Sequence, residues 1–344
     1  MRALFLPLGA LIEAQDNRPL VSANVAGTVA VTVVFSNATR FRRRIVIWSP
    51  SGVRRTLEPP ATRVATSGVE PATLDAVVAP NNAVYGIVEY PFDGAYIGSA
   101  RHLFRWHNNS HEEIVLQNCG GSDRFTPMTV GPDGRIALAG RYDSFNDEIL
   151  PPTKAIVLEG LACRSLGDGW ITAINGPFAA GYRGPLANRA ARAPEEHLVA
   201  VRWTNTSARE LGPGIALGIN PHGIAVGADG PINDSSRHPK PFVWFANGSK
   251  HFLPARAGIA YAINKSGRTI VGTTFDDRGQ SAVRWREGRM ERLDDFLTPH
   301  SGWHLVVAYG MTTDGAIYGL GKINGRHAVF VLSVSENRRA SGKT

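Results

Sequence analysis

The feature that most narrows what this chain can fold into is an internal repeat. Residues 216–254 read ALGINPHGIAVG, a polar loop, then KPFVWFANGSKHFLP, and residues 258–293 follow the same plan. Ile219 and Asn220 align with Ile263 and Asn264, Gly223 with Gly267, Val226 and Gly227 with Val271 and Gly272, Trp244 with Trp285, and Leu253 with Leu293. Self-similarity at a fixed period means that one supersecondary unit is stacked on copies of itself. Each unit holds four short apolar runs separated by turn residues, a pattern of four antiparallel strands rather than of strand and helix. Such a unit is a propeller blade.

Two independent counts give the number of units. The first turn recurs as ANVAG (23–27), APNNA (79–83), GPDG (131–134), ING (174–176), INPHG (219–223), INKSG (263–267) and TTDG (312–315). The large apolar anchor of the third strand recurs as Trp48, Trp106, Leu158, Trp203, Trp244, Trp285 and Val331. Both counts reach seven, so the sequence predicts an all-β, seven-bladed β-propeller with four antiparallel strands per blade. It forms one domain over residues 1–334, with blades near 20–58, 72–117, 127–167, 170–212, 214–254, 257–294 and 303–333. Asn and Asp start such turns through side chain to backbone bonds, and Gly takes the left-handed conformation that closes them. Asn220, Asn264, Gly223, Gly267, Trp244 and Trp285 are therefore read as scaffold.

The last unit offers three strand-like runs, and residues 3–8 are expected to supply its fourth strand and seal the ring. The same N-terminal stretch, one Arg followed by an apolar run and a small residue at Ala14, also reads as a secretion leader, and both readings stand. The tail 335–344, SENRRASGKT, is polar and basic and reads as disordered.

The pattern IN-x-x-G-x-x-x-G, a polar insertion, then an apolar strand ending in W-x-x-G, resembles the bacterial HAF-family repeat, often described as an extracellular repeat. The match is clear over 217–332 and degraded over 23–211, and the HAF tripeptide itself occurs only in altered form, as HAV at 327–329. The resemblance implies a β-propeller without defined chemistry. It favours a secreted or periplasmic location, with a cytoplasmic one open if the N-terminus is a strand.

Composition adds little to function. The net charge of +8 permits attraction to anionic partners, but the only dense basic run is Arg40 and Arg42 to Arg44, followed by Arg54 and Arg55. That run is read as a solvated edge, with anion or nucleic-acid binding through the first blade as an alternative. No apolar run approaches the roughly 18 residues of a membrane-spanning helix. Cys119 and Cys163 fall on neighbouring blades, where a single bond between them stays open.

Function is expected on one face. Strand order sends the first turn and the turn between strands three and four to one rim, while the other links, long at 89–101, 141–154, 182–197 and 228–240, emerge on the opposite rim. Loops on a rigid scaffold carry binding groups. The candidates there are Tyr90, Asp143, Glu148, Trp170, Arg183, Asp234, Asp276, Asp277, Arg278 and Trp303. The resulting expectation is a monomeric, non-catalytic module that recognises a glycan, peptide or protein through the long-loop face and the mouth of its channel, without cofactor or metal. A second reading is a hydrolase or lyase with paired carboxylates, such as Asp143 with Asp276. The run HNNSHEE (107–113) sits in a strand-three-to-four turn and does not place its histidines on one helical face. No phosphate loop or nucleophile elbow occurs.

Overall fold

The computed structural model describes residues 2–5, 10–12, 21–24, 26–37, 40–60, 71–91, 99–108, 110–116, 119, 124–141, 154–184, 198–205, 207–229 and 238–333. The tail 335–344 lies outside them, as do large parts of the long loops. The described residues form seven antiparallel sheets in chain order, a seven-bladed β-propeller. The outer strands of blade five, for example, are Ile215–Ile219 at the hub and Lys250–Phe252 at the rim, with Ala225–Asp229 and Lys240–Trp244 between them.

The two ends of the chain meet in blade seven. Trp303–Met311, Ile317–Ile323 and Arg326–Leu332 are completed by Arg2–Phe5, which runs antiparallel to the last strand with Arg2 opposite Val331 and Phe5 opposite Ala328. That strand covers an edge which would otherwise offer unpaired backbone groups. Blade one departs from the plan: Ala10–Ile12 and Val21–Ala23 both pair with Val29–Asn37, so two short strands share its hub position.

The core is a set of wedges between neighbouring sheets. Trp48 packs with Val307, Tyr309 and Val329 of blade seven, Trp106 with Ile45 and Leu57 of blade one, and Leu158 with Ile87 and Leu103 of blade two. Trp203, Trp244 and Trp285 likewise share clusters with the blade before each of them. In blade seven the register places Leu332, opposite Ile317, where Trp244 stands opposite Ala225. Leu332 packs on blade six beside Val271 and Leu293, whereas Val331 packs toward blade one. The seventh anchor is therefore Leu332 and not Val331, because successive strand residues face opposite sides.

Six of the first turns share one geometry. The amide of residue i+3 donates to the carbonyl of residue i in Gly27 to Asn24, Asn82 to Ala79, Gly134 to Gly131, Gly223 to Asn220, Gly267 to Asn264 and Gly315 to Thr312, at 2.9–3.0 Å. The donor residue is left-handed each time, and in blade two Asn82 takes glycine's place with φ 65°. The turn asparagines also tie blades together: Asn24 Nδ2 donates to the Ala79 carbonyl (2.7 Å), Asn175 Nδ2 to Ile219 (3.4 Å) and Asn220 Nδ2 to Lys265 (3.5 Å). Thr172 adds a hub link, its hydroxyl 2.6 Å from the Ala216 carbonyl of the next blade.

Cys119 and Cys163 form a disulfide between the end of blade two and the outer strand of blade three, with Cα atoms 5.1 Å apart.

The second glycine of the repeat has a different cause from the first. A Cβ on Gly181, Gly227, Gly272 or Gly319 would overlap the carbonyl oxygen of Trp170, Ile215, Ile259 or Val307 on the hub strand. At each of these sites the two inner strands touch backbone to backbone, so the sequence has no room for a side chain. We expect Gly272→Ala to lower the free energy of unfolding by about 1–3 kcal/mol, measured by urea titration; an unchanged midpoint would refute this packing argument.

Candidate functional site

The hub strands carry a recurring bulge. Their ladder slips between Leu74 and Val77, at Met128, Thr172, Leu217 and Tyr261, and twice in blade seven, around Val306 and Tyr309. Each slip re-aims one side chain. Tyr261 packs both on the cluster that holds Met128 and Leu217 and on the cluster of blades one and seven. Its ring meets Tyr309 edge to face at 5.1 Å. Burial raises the Tyr261 and Tyr309 phenols above their ordinary range and pushes Tyr318 up to about 12. At the hub Tyr261 and Tyr309 pack aromatic surface together and the bulged strand of blade two buries a carboxyl, Asp75; exposed charged groups line a recess on a rim.

On the long-loop rim the described residues form a recess of about 420 Å³ between blades five and six. His238, Arg256, Phe275, Asp276, Asp277 and Gln280 line it. Its floor is a tight hairpin: Thr269–Asp276 ends opposite Gly279, and the Arg278 amide donates to Asp276 Oδ1 (2.9 Å). This local bond is the usual reason for an Asp at such a corner. Asp277 then projects into solvent, 97 % exposed, within 3.7 Å of Arg256.

Behind the recess a polar strip runs toward blade seven. The Arg292 guanidinium bonds Asp276 and donates to Ser281 Oγ (2.6 Å). Asp294, in the 3-10 helix Leu293–Phe296, accepts from the Leu305 amide (2.7 Å) and faces His304 Nδ1 (2.9 Å). His304 Nε2 faces the Gln280 carbonyl at 3.0 Å. Held at both ring nitrogens, His304 clasps blades six and seven.

The other candidates separate clearly. Tyr90 lies in a strand of blade two and is buried against His102, ring centroids 5.6 Å apart. Trp170 opens the hub strand of blade four and stacks on Tyr182 at 6.3 Å. Arg183 donates to the Asp168 carbonyl (2.8 Å) and lies over the Trp203 ring. Trp303 packs half-buried on the cluster between blades six and seven. Asp143, Glu148 and Asp234 lie outside the described residues, so of the carboxylate pair Asp143 and Asp276 only Asp276 is placed, and its partner is Arg292. The structure thus gathers Asp276, Asp277 and Arg278, and adds Arg256, His238, Arg292 and Asp294, which no motif singled out. Among the described residues no serine or cysteine side chain bonds a histidine ring, and no group of three or more His, Cys, Asp or Glu could hold a metal. No helix of the described residues is long and apolar enough to cross a membrane.

No protein-family model matches the sequence, and no curated protein is significantly similar to it. Solved structures are. Acylaminoacyl peptidase from Pyrococcus horikoshii superposes with a TM-score of 0.58 at 12% identity, covering 92% of this chain and 50% of that one. The fold is similar to peptidase propeller domains. The β-propeller domain of the trilobed protease from Pyrococcus furiosus, described as an open velcro topology, gives a TM-score of 0.58 at 10% identity, with 92% of this chain and 94% of that one covered. The chain spans about half the length of the acylaminoacyl peptidases it matches. These neighbours correct the expectation of a non-catalytic glycan-, peptide- or protein-binding module, since the propellers that this fold matches belong to hydrolytic enzymes.

The polar strip has a measurable consequence. Leu305 is fully buried, so Asp294→Ala strands its amide and frees His304, at a cost of about 1–3 kcal/mol of unfolding free energy. Asp277→Ala, at the exposed tip, leaves stability unchanged. Equal urea midpoints for Asp294→Ala and the wild type would show that the strip is not a clasp.

Proposed function

We propose that this chain is the propeller part of a peptide-hydrolysing system, and that the recess bordered by Asp276, Asp277 and Arg256 receives peptide ends on the long-loop rim. The observation that carries the reading is the double overlap: 92% of the chain matches half of an acylaminoacyl peptidase and nearly all of an isolated protease propeller. The recess supports it, since paired charges of both signs beside the Phe275 ring suit a peptide's ammonium, carboxylate and apolar side chain together. The described residues lack a nucleophile bonded to a base, so in this reading the bond-breaking groups come from outside them.

Two finer readings go with it. The blades are of the HAF type, supported by the equivalent places that the repeated Asn, Gly and Trp occupy in successive sheets. The protein works in an oxidising compartment, supported by the Cys119–Cys163 bond, because such bonds persist where thiols are not kept reduced.

The test uses protein recovered from its source cells with any accompanying chain retained. Short acylated and free peptide amides are expected to be cleaved by this material. The double variant Arg256→Ala, Asp277→Ala should lower kcat/KM about tenfold, equivalent to about 1.4 kcal/mol of transition-state binding. Recovered wild-type material that cleaves no peptide would overturn the reading.

A further inference from the structure

The seven blades allow one position to be compared with its equivalents. The residue before the third-strand anchor pairs across to the fourth strand, and in blade two that pair is Arg105 with Glu112, in blade six Arg284 with Glu291. Both are ion pairs, at 2.7 and 2.5 Å. In blade four the same register brings Arg202 opposite Arg209. Like charges directly opposite on a sheet repel. Nothing in the fold requires them there, because a glutamate occupies the second place in two sister blades.

Neither arginine has a carboxylate partner among the described residues. Arg202 Nη1 donates to the Gly223 carbonyl (3.0 Å) and, with Nη2, reaches the Ala246 carbonyl (3.3 Å). Arg209 Nη2 donates to the Asn247 carbonyl (3.3 Å). These bonds to the turns of blade five hold both guanidiniums side by side at the short-turn rim, with Phe178 under Arg202 at 5.7 Å. Carbonyl dipoles fix the orientation but leave two full positive charges uncancelled. Arg202 Nε is buried without an acceptor, and burial together with the Arg209 charge lowers the Arg202 pKa from its ordinary value. Arg209 is exposed and keeps donors turned to solvent.

We propose that Arg202 and Arg209 form a binding site for a phosphate-class oxyanion on the short-turn rim between blades four and five. A tetrahedral dianion supplies the two charges that the glutamates supply once each in blades two and six; Arg209, with one N–H committed to Asn247, keeps a forked edge for two of its oxygens, and the remaining Arg202 Nη2 hydrogen can donate to a third. The site lies on the rim opposite the Asp276 recess and does not depend on the peptidase reading. It also differs from the Arg-rich strand of blade one, where Arg44 Nε already donates to Glu58 at 3.0 Å.

The test is thermal unfolding of the intact protein in rising inorganic phosphate against chloride at matched ionic strength. The wild type should show a rise in Tm that follows the logarithm of phosphate concentration above the dissociation constant, reaching about 2 °C at ten times that constant. Arg209→Glu rebuilds the Arg–Glu pair of the sister blades and should abolish the response while the protein remains folded. Arg209→Gln removes the charge without adding a new one and should abolish it too, which decides the matter if the glutamate variant fails to fold. No phosphate-specific rise over chloride in the wild type, or the same rise in the variants, would overturn the proposal.

Discussion

Each blade is held by one large side chain pressed into the sheet before it. A single four-stranded sheet leaves both faces apolar, and neither can be covered by its own strands. Trp48, Trp106, Leu158, Trp203, Trp244, Trp285 and Leu332 solve this in sequence around the wheel, every one of them buried on its predecessor. Removing a buried Trp of this kind costs about 3–5 kcal/mol, and the loss falls on an interface, not within a blade. The wheel is therefore stable only as a closed series: Trp48 of blade one has no surface to press on unless blade seven has arrived.

That closure explains why the first and last strands share a sheet. Arg2–Phe5 pairs along the final strand while Ala10–Ile12, a few residues later, already pairs in blade one. One short segment thus crosses from the last sheet to the first. Separating blades one and seven would break a backbone ladder as well as the Trp48 wedge, so the two devices act on the same joint.

Much of this could be read from the residues, because the repeat imposes the same physical demand at each copy. The turn glycines, the turn asparagines and six of the seven anchors stand where the pattern put them, and the close-packed Gly227 and Gly272 reveal why the second glycine recurs. The seventh anchor failed by one residue, since a strand lacking Trp gives no cue to which of Val331 and Leu332 faces the earlier blade. The hub bulges were not legible at all: Met128, Thr172, Leu217 and Tyr261 share a place and no chemistry. The candidate site was legible only in part. Asp276 and Asp277 were named from their loop, but Arg256, Arg292 and Asp294 reach the recess from other elements, and that convergence depends on tertiary packing.

The packing of the hub bears on where selectivity can reside. Tyr261 and Tyr309 meet at the centre with their phenols protonated, and Met128 and Leu217 pack beside them. Separating that pair would uncover aromatic surface of blades six and seven, whereas a ligand on the rim displaces water. The two rims also differ in kind. In the recess of the long-loop rim, Asp276 is matched by Arg292 and Asp277 by Arg256, so a ligand there exchanges partners. On the short-turn rim of blade four, Arg202 and Arg209 have no matching acid among the described residues, so a ligand there completes a pair. Exchange favours ligands that carry both signs, and completion favours anions; one scaffold with near-identical blades thereby presents two chemically distinct surfaces through a handful of departures from its own repeat.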